Sequence, residues 1–209
     1  MNSNSEEVVL SRKDRDKLRN REAILDAAAH LFAERGFNET KLEDVAELAE
    51  FGKGTLYNYF KNKNDLLVST LEYAIEKIGR FLREKLSDVD EPLDRIRLIV
   101  RSQFDYYREN EDFLKVVTSN QAIIQKALQC GGGEQLHGKF SMLRSLMEQE
   151  IDQAIQAGIF RQGSAKKYAA YLGGMIHSQI RSLNNHEISL DQVDTDEILE
   201  IFFNGVKNA

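Results

Sequence analysis

The chain has 209 residues, 42% of them hydrophobic, which is enough for one large domain or two small ones and too much for a disordered polypeptide. One proline, no tryptophan and an abundance of Leu, Ala, Glu, Lys and Arg favour long uninterrupted helices, so an all-α protein is expected. A formal net charge of −6 excludes a protein that coats nucleic acid or anionic membrane by bulk positive charge, although a local basic surface can still override the total.

Residues 1–10 are polar and aperiodic and are expected to be disordered. From Ser11 to Arg21 the chain carries Arg12, Lys13, Arg15, Lys17, Arg19 and Arg21 against only Asp14 and Asp16. Residues 1–18 are taken as a flexible basic arm; its cations form either a solvated first turn of helix or contacts to a DNA backbone. From about Arg19 to Arg35, Ile24, Ala28, Leu31 and Phe32 recur on one helical face, and Gly36 can cap the C-terminus. Thr40-Lys41-Leu42-Glu43 fits a capping box opening a second helix, with Leu42, Val45, Ala46 and Ala49 as its buried stripe. That helix ends near Glu50. Gly52 to Phe60 then reads as a short amphipathic segment without an acid, Leu56 and Phe60 facing inward. Two short helices joined by a tight turn and packed on a third make a helix-turn-helix.

Asn62 can cap a fourth helix running to about Leu86, with Leu67, Leu71, Ala74, Ile75, Ile78 and Leu82 on one face. At 1.5 Å per residue it spans roughly 35 Å, enough to join a small head to a larger body. After the linker-like Ser87 to Pro92, helices are expected over Leu93–Arg108, Glu111–Gln129, Gln135–Ala157, Ser164–Asn184 and Asp194–Val206.

The run R-E-A-I-L-D-A-A-A-H-L-F-A-E-R-G-F from Arg21, then T-K-L-E-D-V-A-E-L-A, then K-G-T-L-Y-N-Y-F-K-N-K-N-D-L-L, resembles the DNA-binding domain of TetR-family (tetracycline-repressor-like) transcriptional regulators. The resemblance implies a three-helix DNA-binding head over residues 19–63, joined by a long helix to a helical effector-binding and dimerisation body over residues 64–209. It implies a homodimer on a palindromic double-stranded DNA operator. It also assigns roles: Thr40 holds a phosphate at a helix start, and Lys53, Gly54 and Thr55 open the recognition helix. Tyr57 and Asn58 follow on that helix, and Tyr59 and Lys63 serve the phosphates. The turn Ala49-Glu50-Phe51-Gly52 departs from the family pattern, which has glycine at Glu50 and a small aliphatic residue at Phe51. A non-glycine residue in the left-handed conformation costs about 1 kcal/mol, so either that cost is carried or the turn differs.

A ligand-responsive repressor is therefore the expected function. Its alternative is a helical protein-interaction adaptor with only non-specific DNA binding. No nucleophile elbow, phosphate loop or zinc spacing is present, so neither an enzyme nor a cofactor is expected. The lone Cys130 cannot form an intrachain disulfide and is read as passive; with no signal peptide or apolar run of about 18 residues, a cytoplasmic protein is expected. His137, His177 and His186 lack metal-ligand spacing and His30 is read as structural. Phe104, Tyr107, Phe113, Met142, Leu146 and Met175, with polar Gln121, His177 and Gln179, are candidate pocket residues for a partly apolar small-molecule effector. Gly173-Gly174 inside a helix suits a dimer interface made with the C-terminal helix.

Overall fold

The computed structural model describes residues 11–119 and 134–207, and apart from an isolated bridge between Phe160 and Lys207 their regular structure is helical. The elements are α1 (Arg12–Glu39), α2 (Leu42–Leu48), α3 (Lys53–Tyr59), α4 (Lys63–Leu86), α5 (Pro92–Glu109), α6 (Glu111–Ser119), α7 (Glu134–Gln156), α8 (Ala165–Asn184) and α9 (Thr195–Val206), with a 3-10 turn at Leu190–Gln192. Among the described residues no helix is long and apolar enough to cross a membrane, and no group of three or more His, Cys, Asp or Glu could hold a metal. Gln121, Cys130 and the expected helical stretch up to Gln129 lie outside the described residues, as does the side chain of His137.

Helix α1 corrects the first boundary. Ser11 caps it, its side chain accepting from the Asp14 amide at 3.2 Å, so Arg12 to Leu18 is helix and not a flexible arm. Its buried stripe, Ile24, Leu25, Ala28, Leu31 and Phe32, packs on α2, α4 and α6. Gly36 breaks the helix with φ 78°.

The turn between α2 and α3 has a definite form. The Phe51 amide donates to the Ala46 carbonyl at 2.8 Å and the Glu50 amide to the Glu47 carbonyl at 3.0 Å. Those two bonds define a Schellman cap, whose C′ residue must be left-handed. Glu50 occupies that position with φ 61°. Phe51 is the following residue and packs half-buried against the core, the apolar contact that accompanies this cap. The departure from the family pattern therefore lies in residue type and not in backbone geometry.

Helix α4 begins as expected, with the Asn62 side chain accepting from the Asp65 amide at 3.0 Å. It is buried along most of its length and packs on α1, α5, α6 and α7. Its far end is fixed by a buried ion pair. Arg95 of α5 makes a two-pronged contact to Glu150 of α7, Nε to Oε2 at 2.6 Å and Nη2 to Oε1 at 2.8 Å, and donates to the Leu86 and Val89 carbonyls. Glu150 is fully buried, and the Arg95 guanidinium ties α7 to the α4–α5 corner. One end of α4 is thereby locked to the body while the other carries α3.

Candidate nucleic-acid interface

The recognition segment is built by a two-sided division of labour. Leu56 and Phe60 are buried in the head's core, and Arg21 lies over the Phe60 ring at 5.6 Å. This leaves Lys53, Gly54, Tyr57 and Asn58 exposed on the other face, with Thr55 and Tyr59 half-buried at its edge. A Cβ added at Gly54 would meet nothing within 4 Å, so the protein itself has no steric need for glycine there. Lys53 is paired with Glu43 of α2 and lies 5.9 Å from the centre of the Tyr57 ring. Their hydrogen bond holds the Glu43 carboxyl below its ordinary value and the Lys53 ammonium above its own.

Two of the phosphate-binding assignments meet a different geometry. Thr40 does not cap α2: the N-cap is Lys41, with no side-chain cap bond. The Thr40 side chain is buried and its hydroxyl serves the Gly36 and Leu31 carbonyls at 2.8 and 3.1 Å, tying off the kink at the end of α1. Lys63 is likewise turned inward. Its ammonium donates to the Asn38 and Thr40 carbonyls, each at 2.9 Å, and rests over the Phe37 ring at 4.6 Å. Both residues brace the α1–α2 corner. Lys41 and Lys61, by contrast, are exposed on the same head, and only their burial state, invisible in sequence, distinguishes them from Lys63.

An open groove of about 890 Å³ runs between the first turns of α1 and the side of α3, lined by Lys13, Lys17, Asn20, Thr55, Asn58 and Tyr59 among others. The head as a whole thus presents one polar face built from α1 and α3. A model of the family described as "Bacterial regulatory proteins, tetR family" matches residues 24–70, which span the core-facing part of α1, all of α2 and α3 and the start of α4. The similarity extends well past the head: over 196 residues, 88% of this chain and 94% of the relative, the sequence is 26% identical to the fatty acid metabolism regulator protein of Bacillus subtilis.

The head is that of the TetR family of transcriptional regulators.

Solved structures of transcriptional regulators share its fold. The transcriptional regulator FadR from Bacillus subtilis, in complex with stearoyl-CoA, aligns with a TM-score of 0.71 at 22% identity, covering 88% of this chain and 98% of that one. A transcriptional regulator from Saccharomonospora viridis in complex with choline aligns with a TM-score of 0.74 at 16% identity, covering 92% and 100%.

In the body the candidate pocket residues do not all converge. Phe104, Tyr107 and Phe113 form one buried aromatic cluster, with ring centres 6.2 Å apart for the first pair and 6.1 Å for the second. Burial pushes the Tyr107 hydroxyl up to about 12. Met142 is exposed beside Arg83, and Leu146, Met175 and Gln179 are half-buried. His177 is exposed on α8, sharing a face with Gly173 and Gly174, and so points away from the core. Head and body meet at α1 against α4 and α6, where His30 and Asp112 approach to 2.9 Å and Lys77 reaches Asp26 at 3.4 Å.

Proposed function

We propose that this TetR-family regulator is a homodimeric repressor, with residues 19–63 as the DNA-reading head and residues 64–209 as the body, released from a palindromic operator by a small effector. The observation that carries the reading is the outward face of α3, where Lys53, Gly54, Tyr57 and Asn58 stand free of the core with Thr55 at its margin. Thr55, Tyr57 and Asn58 supply a methyl group, a ring and an amide, the groups that read base edges in a major groove. Lys53 serves the backbone once it leaves Glu43, and Tyr59 lies at the edge of the same face.

Dimerisation is assigned to α8 and α9. Tyr171 and Ile201 are 60% and 58% exposed and would be covered there, and Gly173 and Gly174 leave room for close helix approach. The effector is assigned an apolar portion, on the full-length similarity to a fatty acid metabolism regulator and on the stearoyl-CoA and choline held by fold relatives. A ligand that favours a body conformation with α4 tilted would move the heads off the ~34 Å spacing of one DNA turn. A hundredfold loss of operator affinity requires about 2.7 kcal/mol of coupling between the two sites.

The test is selection of bound sequences from random duplex DNA at two salt concentrations, followed by release trials with fatty acyl-CoAs, free fatty acids and choline. A palindrome with half-sites about one turn apart, released by one of these classes, is the expected result. No enriched sequence and a purely salt-driven signal would leave only the adaptor reading.

A further inference from the structure

We infer that the N-terminal turns of α1 form a second DNA contact, a cationic rail that holds one phosphodiester strand against the side of the recognition helix. This rests on the DNA-binding reading above and extends it to residues outside α2 and α3. Lys13, Lys17 and Asn20 lie within about 50° of the line through Ile24, Ala28 and Leu31, at 3.6 residues per turn. The stripe that is apolar and buried where α1 crosses the head's core therefore continues as Lys, Lys and Asn where the helix runs past it. There the groove between α1 and α3 is walled by Lys13, Lys17 and Asn20 on one side and Thr55, Asn58 and Tyr59 on the other.

Charge satisfaction points the same way. Elsewhere in the head several cations are engaged within the molecule, Lys53 with Glu43, Lys63 with two carbonyls and Arg35 with Glu34 and Asp44, whereas Lys41 and Lys61 are exposed. Among the described residues Arg12, Lys13 and Lys17 have no such partner. Asp14 and Asp16 also line the groove, but Asp14 accepts from the Ser11 hydroxyl at 2.6 Å and serves the helix start. The groove is open along its length, as a continuous strand requires, and its polar, cationic wall matches phosphate oxygens. With the Thr40 hydroxyl and the Lys63 ammonium consumed internally, this rail supplies the positioning contacts that those two residues do not.

The measurement uses the full chain and the operator selected from random DNA. Its salt dependence is compared for the wild type, Lys13→Ala/Lys17→Ala, Lys13→Arg/Lys17→Arg, and Arg15→Ala/Arg19→Ala on the opposite side of the same helix. Each phosphate contact contributes about 0.9 to the slope of log K against log salt. The alanine pair at 13 and 17 should flatten that slope by about 1.8 per subunit, lower affinity for specific and non-specific DNA alike and leave the selected sequence unchanged. The arginine pair should keep the slope, and the pair at 15 and 19 should change it much less. An unchanged slope at 13 and 17, an equal change at 15 and 19, or an altered selected sequence overturns the rail while leaving the recognition-helix reading intact. A wild type that binds no DNA overturns both. Helical circular dichroism of each variant verifies that α1 remains formed.

Discussion

Glu50 carries the left-handed residue of a Schellman cap without being glycine, and replacing it separates backbone strain from charge. The left-handed conformation costs an L-residue roughly 1–2 kcal/mol. Glycine avoids that cost but loses more freedom on folding, by roughly 0.5–1 kcal/mol. Glu50→Gly should therefore stabilise the protein by about 0.5–1 kcal/mol, a rise in Tm of roughly 1–4 °C for a chain of this size. Because the Glu50 side chain is exposed and its φ is 61°, Glu50→Ala removes the charge and keeps the strain. Its stability should stay within about 0.5 kcal/mol of wild type. Both variants should bind DNA more tightly, since both remove a negative charge from the turn that leads into α3. Thermal and urea unfolding of the three proteins decides the matter. If Glu50→Gly is no more stable than Glu50→Ala, the strain assigned to the α2–α3 turn is not there.

Other substitutions probe the remaining parts of the account. Gly54→Ala meets no steric obstacle within the protein, so stability should hold or rise by up to about 1 kcal/mol through helix propensity, while operator affinity falls because the added methyl stands on the DNA face; unchanged affinity would remove Gly54 from the interface. Glu150→Ala leaves Arg95 without its buried partner and should cost about 3–5 kcal/mol in urea unfolding, whereas Arg95→Met with Glu150→Leu should recover much of that loss. Tyr107 is neutral in the fold up to about pH 12 but ionises from about 10 when unfolded, so its contribution is complete below pH 10 and is lost as pH rises towards 12. That loss amounts to about 3 kcal/mol at most, and Tyr107→Phe should flatten the alkaline fall in stability by a comparable amount. Lys63→Met should lower stability and not merely DNA affinity, because it removes the donor to the Asn38 and Thr40 carbonyls.

Most of the helical framework is legible in the residues because its signals are local. Asn62, Ser164 and Asp194 precede helices and their side chains cap them. Leu56 and Phe60 are spaced for one face of a short helix and both are buried. Thr40 shows where local pattern fails: T-K-L-E has the form of a capping box, yet the carbonyls freed at the Gly36 kink compete for the hydroxyl and win it. Lys63 fails for a related reason, since a lysine beside a recognition helix looks the same whether it faces phosphate or a neighbouring backbone. The phase of Lys13 and Lys17 is legible when the stripe through Ile24 is extended backwards across the basic segment. The pocket candidates share only residue type, and type does not tell a buried Phe104 from an exposed Met142.

The central claim is that α3 reads base edges while other contacts hold the backbone. It is tested most directly by measuring wild type and Thr55→Ala against every single-base variant of the selected operator. Thr55→Ala should relax discrimination at one base pair in each half-site, by about 1–3 kcal/mol, and leave the other positions as they were. An equal loss at every position, indistinguishable from that of a phosphate contact, would contradict it.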